Sequence, residues 1–177
     1  MRTKPQDDDH VGFSGWRLLG LGFWQAWWMI SMCTDVLLPT TDRYPFAGNT
    51  TLWVLVLTTV GYLVVVALAR RLSPFLTHRA SFLAAGGLTA AGTVTLPIAL
   101  TLGSGAAGFA WFLAGTVSLS LGNALLLIMW GELWSALATG RVGRHLYVSY
   151  TFAFVLFFIA YALPGPAAVA FTAALPI

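Results

Sequence analysis

A stripe of aromatic and polar side chains lies in the first long apolar stretch of the sequence. At the 100° step of an α-helix, Trp24, Trp28, Ser31 and Asp35 fall on one face. A carboxylate beside a floor of indole rings could bind a cationic or aromatic small molecule through cation–π contact. The plainer alternative is an interfacial aspartate that reaches water or pairs with Arg43.

A second polar set lies in the fourth apolar stretch. One helical face carries Thr116, Ser120, Asn123, Trp130 and Trp134. Gln25 and Asn123 both fall near the middle of their stretches, and a hydrogen bond between them would join the first and fourth helices. Such polar groups either hold helices together or contact a ligand. The predicted ligand-binding residues are therefore Trp24, Gln25, Trp28, Ser31, Asp35 and Asn123.

The only glutamate, Glu132, does not belong to this set. It follows Asn123 by nine residues, which is half a helical turn, so it lies on the opposite face. It also lies at the depth of the inner membrane interface. We predict a salt bridge from Glu132 to Arg79, Arg141 or Arg144, which would fix the cytosolic end of two helices.

The elements that must position these side chains are transmembrane helices. The chain has 177 residues, of which 58% are hydrophobic and 8% are charged, whereas a soluble domain carries about 25% charged residues. Stretches of about 20 apolar residues span a bilayer. We predict an all-α, polytopic transmembrane helix bundle with five complete spans and a partial sixth, after a polar cytosolic tail at residues 1–15. The predicted spans are residues 16–38, 52–69, 80–102, 108–132, 146–163 and, in part, 167–177.

The partial sixth span and the third span each carry a further expectation. The sixth run has 11 residues, about 16 Å of helix at 1.5 Å per residue, so we expect the chain to be a fragment of a longer protein. The third span contains the small-residue pairs Gly86/Ala90 and Gly87/Ala91. Such pairs let neighbouring helices approach closely, so this span should lie inside the bundle.

The basic residues predict the orientation. Cytoplasmic loops of membrane proteins carry an excess of Lys and Arg. With the N-terminus inside, the outer loops carry only Arg43, and the inner segments carry Arg2, Lys4, Arg17, Arg70, Arg71, Arg79, Arg141 and Arg144. We predict a multi-pass membrane protein with a cytosolic N-terminus and the lipid bilayer as its main partner.

Several classes of function have no matching motif. His10, His78 and His145 fall in separate predicted loops without carboxylates at ligand spacing, so no metal site is expected. No histidine within the membrane could activate a serine, and no glycine-rich loop beside a lysine indicates a nucleotide site. We expect neither enzymatic activity nor a cofactor.

Two segments carry a family resemblance. Leu19–Trp28 (LGLGFWQAWW), followed by Asp35–Pro39 (DVLLP), resembles the first transmembrane segment of a group of bacterial LuxR-type regulators. Leu121–Trp134 (LGNALLLIMWGELW) is similar to their fourth segment. The resemblance implies a membrane region similar in layout to part of a major facilitator half-bundle, followed in the whole protein by a cytosolic helix-turn-helix domain. That domain is absent from this sequence, so no direct nucleic-acid binding by this chain is expected.

The resemblance implies a sensor that responds to a small-molecule ligand. In a facilitator layout the first and fourth helices line the central cavity, which would bring Trp24, Trp28, Asp35 and Asn123 around one site. The loop at residues 69–79 lacks the Gly-x-x-x-Asp-Arg-x-Gly-Arg pattern of facilitator transporters. Half of a facilitator-like transporter is the first alternative, and a structural membrane protein without a ligand is the second.

Overall fold

A computed structural model describes residues 15–34, 50–72, 79–103, 105–135 and 139–177. Most of the predicted polar tail and Asp35 lie outside these residues. Within them the chain forms six α-helices and no strand, so the predicted all-α fold is confirmed. The helices are α1 (Gly15–Cys33), α2 (Thr50–Leu72), α3 (Arg79–Thr101), α4 (Ala106–Ser135), α5 (Thr139–Ala162) and α6 (Gly165–Ala174).

Long apolar runs explain the helices, although α3 contains Pro97 in its interior, and glycine or proline marks two helix ends. Gly103 follows α3 with a φ of 76°, a conformation that glycine adopts without the steric cost of a Cβ atom. This turn lets α4 begin at Ala106. Pro164 precedes α6, and Pro166 lies in its first turn, where a missing N–H costs no helical hydrogen bond.

Three helices among the described residues are long and apolar enough to cross a membrane, against the five complete spans that we predicted. They are Arg79–Thr101, Ala106–Ser135 and Val142–Ala162. Leu52–Leu68 and Gly165–Ala174 are shorter apolar helices. The described part of the first predicted span ends at Thr34, and the structure does not describe residues 35–38. Residues 139–145, predicted as a loop, form the first turns of α5 because they contain no proline.

The helices pack as two groups. In one group α1 lies along α5, and in the other α2 and α3 lie along α4. The short helix α6 lies against α3 and makes smaller contacts with α5 and α1. Much of the outer surface is apolar, with Leu63, Leu83 and Phe158 each more than 60% exposed. A lipid environment accounts for such a surface, because a soluble monomer rarely exposes large apolar patches.

Close backbone approach joins α3 to α4. A Cβ atom added to Gly92 would lie 2.6 Å from the Leu119 backbone nitrogen, and one added to Gly122 would lie 2.6 Å from that of Thr89. Falling numbers on α3 match rising numbers on α4, so the two helices are antiparallel. The small-residue prediction for α3 is half right: Gly86 is buried, but nothing lies within 4 Å of a Cβ atom at Gly87, which faces outward.

Candidate functional site

A hydrogen bond between side chains links α1 to α4. The Trp24 indole Nε1–H donates to Asn123 Oδ1 at 2.9 Å. Asn123 is 1% exposed, so the bond lies inside the bundle. The structure thus brings together two of the residues that we predicted for a ligand site. Our predicted Gln25–Asn123 bond is wrong: Gln25 Oε1 and Asn123 Nδ2 both lack a partner, and Asn123 Oδ1 accepts from Trp24 instead.

Three buried polar atoms have no hydrogen-bond partner among the described residues. They are Gln25 Oε1 on α1, Thr58 Oγ1 on α2 and Asn123 Nδ2 on α4. Leaving such an atom unpaired costs about 1–3 kcal/mol. Two of the three, Gln25 Oε1 and Asn123 Nδ2, belong to the predicted ligand-binding residues, so an acceptor on α1 and a donor group on α4 are left unused.

A second indole links α1 to α3, and our sequence reasoning missed it. Trp27 Nε1 donates to Thr93 Oγ1 at 2.9 Å, and the Thr93 hydroxyl donates onward to the Thr89 carbonyl oxygen at 2.8 Å. Trp27 is fully buried. Two threonines four residues apart on the small-residue face of α3 were the available signal, because such a face leaves room for a large ring from a neighbouring helix.

The remaining residues of the predicted stripe, Trp28, Ser31 and Asp35, do not share one environment. Trp28 is half-buried and stacks on Trp24, with ring centroids 6.5 Å apart and an interplanar angle of 24°. The Ser31 hydroxyl donates to the Trp27 carbonyl oxygen at 2.7 Å, within the same helix. Its proton is therefore already used. Asp35 lies outside the described residues, so the acid on which the predicted cation site depended has no structural counterpart here.

A cavity of about 740 Å³ opens below Trp24, between α1, α3, α4 and the end of α6. This volume falls within the range of small-molecule sites, about 300–1,000 Å³. Its walls are largely aromatic and aliphatic, with Phe23, Trp24, Phe82, Met129, Trp130 and Leu175 among them. Arg79 is the charged residue among the described residues that line it. The cavity therefore combines an apolar interior with one cation.

The register of α3 against α4 shows at which level along α4 Arg79 lies. Gly92 lies against Leu119 and Thr89 against Gly122, so Arg79 falls at the level of the turn that contains Trp130. The wall residues on α4 run from Leu126 to Leu133, which is about 10 Å of helix at 1.5 Å per residue. The cavity thus extends from the start of α3 toward Trp24.

The rings and a glycine bring α1 close to α4 beside the cavity. A Cβ atom at Gly20 would lie 3.3 Å from the Trp130 Cη2 atom. The Trp130 ring therefore covers Gly20, and a larger residue at that position would push the ring aside. Trp130 thus forms a wall of the cavity and, through this contact, a bridge between the two helix groups.

Glu132 is half-buried and is not among the residues that line the cavity. Helical arithmetic places it about 110° around α4 from the wall residues. Arg79 and Arg144, two of its predicted partners, are exposed, and the side chain of Arg141 lies outside the described residues. The predicted salt bridge of Glu132 stays a prediction.

The described residues contain no cluster of three or more His, Cys, Asp or Glu side chains that could hold a metal ion. Comparisons with protein-family models, with curated proteins and with solved structures found no match for the chain. The interpretation of the site therefore depends on its own geometry: an apolar cavity, one cation, and a buried indole–amide hydrogen bond at its upper wall.

Proposed function

We propose that this chain is the membrane-embedded, ligand-responsive region of a LuxR-type transcriptional regulator in the bacterial cytoplasmic membrane, with its N-terminus in the cytosol. One observation carries the proposal. Trp24 is both a wall of the cavity and the donor in the hydrogen bond to Asn123. A molecule that enters the cavity therefore touches the ring that holds α1 to α4.

The coupling follows from the cost of an unpaired buried amide. If a ligand turns the Trp24 ring, Asn123 loses its hydrogen-bond partner, at about 1 kcal/mol for a bond between membrane helices. This bond and the Trp27–Thr93 bond connect the α1–α5 pair to the α2–α3–α4 group. A ligand with different affinities for two arrangements of these groups shifts the population between them. A downstream domain attached to the bundle would sense that shift.

The helix pairing supports a facilitator-like layout. Exchanging α1 with α4, α2 with α5 and α3 with α6 turns the α1–α5 contact into the α4–α2 contact, and the extensive α3–α4 contact into the much smaller α6–α1 contact. The α3–α6 contact maps onto itself, whereas the α5–α6 contact has no counterpart. Such a relation between two sets of three helices is typical of the inverted repeats inside facilitator half-bundles.

The same pairing is compatible with half of a facilitator-like transporter, which is the alternative. The reading frame downstream of the Ile177 codon separates the two. Further helices followed by a soluble helix-turn-helix favour the sensor. A second copy of the bundle that ends without such a domain favours the transporter, and neither feature favours a structural membrane protein.

A distance measurement tests the response itself. In a Cys33→Ser background, nitroxide labels would be attached at Leu63→Cys on α2 and Phe158→Cys on α5, both exposed positions, and the protein reconstituted in phosphatidylcholine nanodiscs. Decanoate, decanol and decyltrimethylammonium serve as anionic, neutral and cationic probes. We expect at least one probe to change the distance distribution and Trp24→Phe to reduce that change. Identical distributions with all three probes would contradict a ligand response.

A further inference from the structure

We propose that the cavity below Trp24 binds an amphiphile with a single anionic headgroup, such as a medium-chain carboxylate or alkyl phosphate. This inference rests on the proposed ligand-responsive function and names the chemical class of its ligand. It follows from the walls of the cavity, from the two hydrogen-bond donors at its lower end, and from its depth.

The walls require an apolar body. Phe23, Phe82, Met129 and Leu175 present only carbon and thioether sulfur to the space. A polar molecule would lose its hydration there without gaining hydrogen bonds, which is unfavourable by several kcal/mol in most reference systems. An alkyl chain loses nothing of this kind, and its contacts with rings and aliphatic chains are favourable.

The lower end of the cavity requires an acceptor. Arg79 lines it with an exposed guanidinium group, and none of the residues that the structure describes pairs with that group. Trp130 lines the cavity at the same level, and its indole N–H, like the guanidinium group, can only donate. Guanidinium groups bind carboxylate and phosphate with paired, charge-assisted hydrogen bonds.

The acidic residues argue against a cation. None of the described residues that line the cavity is Asp or Glu. Glu132 is turned about 110° around α4 from the wall. Among the described side chains of the wall, a cationic headgroup would meet Arg79 and no carboxylate, whereas an anionic one would complete an ion pair beside an apolar interior.

The depth of the cavity sets the size of the ligand. The wall on α4 runs for about 10 Å, from Leu126 to Leu133, which accommodates a medium alkyl chain. With its headgroup at Arg79, the ligand's tail would end against Trp24. Because the excess of Lys and Arg places Arg79 at the cytosolic rim, the ligand would enter from the inner leaflet or the cytosol.

Equilibrium dialysis with radiolabelled probes tests the class. In phosphatidylcholine nanodiscs we expect decanoate to bind more tightly than decanol, and decyltrimethylammonium to bind most weakly. Arg79→Gln should weaken decanoate binding by up to about fivefold, because an exposed ion pair is worth up to about 1 kcal/mol. Arg144→Gln, an exposed arginine away from the cavity wall, is the matched control and should leave decanoate binding unchanged.

Ala174→Trp places a large ring in the wall of the cavity and should reduce the binding of decanoate and decanol together. Nanodiscs that contain phosphatidylglycerol separate the two sources of an anionic amphiphile. Loss of decanoate binding in them identifies a membrane lipid as the ligand, and unchanged binding identifies a free amphiphile. Either result supports the anionic class.

Three results would overturn the inference: equal binding of decanoate and decanol, equal decanoate binding by wild type and Arg79→Gln, or undiminished decanoate binding by Ala174→Trp. In those cases a response of the nitroxide distances to decanol or to the cation would still support the ligand-responsive function. Conversely, tight decanoate binding that leaves the nitroxide distances unchanged would support the anionic site and contradict the ligand response.

Discussion

The α3–α4 interface and the junction of α1 with those two helices differ in the size of the residues that form them. The first is made of glycine and small residues, with backbone atoms of one helix against Gly92 and Gly122 of the other. The second is made of indole rings, with hydrogen bonds from Trp24 and Trp27 across the gap. A cavity of about 740 Å³ lies beside the second and not within the first.

The difference indicates where the bundle can rearrange. Close-packed interfaces have few alternative arrangements, because a small shift creates overlaps or voids along the whole contact. The indole junction has the cavity beside Trp24 and the unpaired amide group Asn123 Nδ2. We therefore expect substitutions in the α3–α4 interface to change stability, and ligands at the indole junction to change helix arrangement.

The largest effect should come from Gly92→Ala. The added Cβ atom would lie 2.6 Å from the Leu119 backbone nitrogen and 2.7 Å from the Gly115 carbonyl oxygen. Overpacking of this kind costs about 1–3 kcal/mol. Unfolding by SDS titration in mixed micelles measures the free-energy change.

Gly87→Ala, in the same helix, is the control for Gly92→Ala. Nothing lies within 4 Å of a Cβ atom there, so alanine should be neutral or stabilise α3 by up to about 1 kcal/mol through helix propensity. Equal losses at Gly87 and Gly92 would mean that close packing does not define this interface.

An intermediate effect is expected from Thr93→Val, with Thr58→Val as its matched partner. Valine at position 93 leaves the buried Trp27 N–H without an acceptor, so we expect a loss of about 1–3 kcal/mol. The buried Thr58 hydroxyl has no described partner, so its removal should leave the free energy of unfolding unchanged or raise it by up to about 3 kcal/mol. A larger loss of stability from Thr58→Val than from Thr93→Val would show that the Trp27–Thr93 bond is not the polar link between α1 and α3.

The smallest effect is the coupling between Trp24 and Asn123. A double-mutant cycle with Trp24→Phe and Asn123→Leu isolates it. Hydrogen bonds between membrane helices average about 0.6 kcal/mol and reach about 1.7 kcal/mol, so we expect a coupling in that range in SDS unfolding. A coupling of zero would mean that Trp24, as a wall of the cavity, does not contribute to the contact between α1 and α4.

Much of the fold could be predicted from the sequence, because apolar runs and breakers are local signals. The runs predicted helices, and Gly103 marked the turn before α4. Helical arithmetic placed Trp24 and Asn123 on the polar faces of their helices, and the family resemblance implied that these faces meet. The choice of Gly86 over Gly87 as the buried glycine could not be made, since it depends on the rotation of α3 against α6.

The rest of the site depends on non-local placement. The way in which the helices cross determines which hydroxyl accepts a hydrogen bond from which indole. The Trp27–Thr93 bond was therefore missed. Arg79 was predicted as a partner of Glu132 because both fall at the inner rim. Its place in a cavity wall could not be inferred, because that wall exists only where α1, α3, α4 and α6 meet.

Nuclear magnetic resonance of nitrogen-labelled tryptophan tests the central claim most directly, namely that cavity occupancy is felt at the Trp24–Asn123 bond. Trp24→Phe assigns the Trp24 indole signal, and Trp130→Phe assigns that of Trp130. On addition of decanoate we predict that both signals shift, whereas those of the exposed Trp53 and Trp111 stay in place. Saturable decanoate binding that leaves the Trp24 indole signal unmoved would contradict the account.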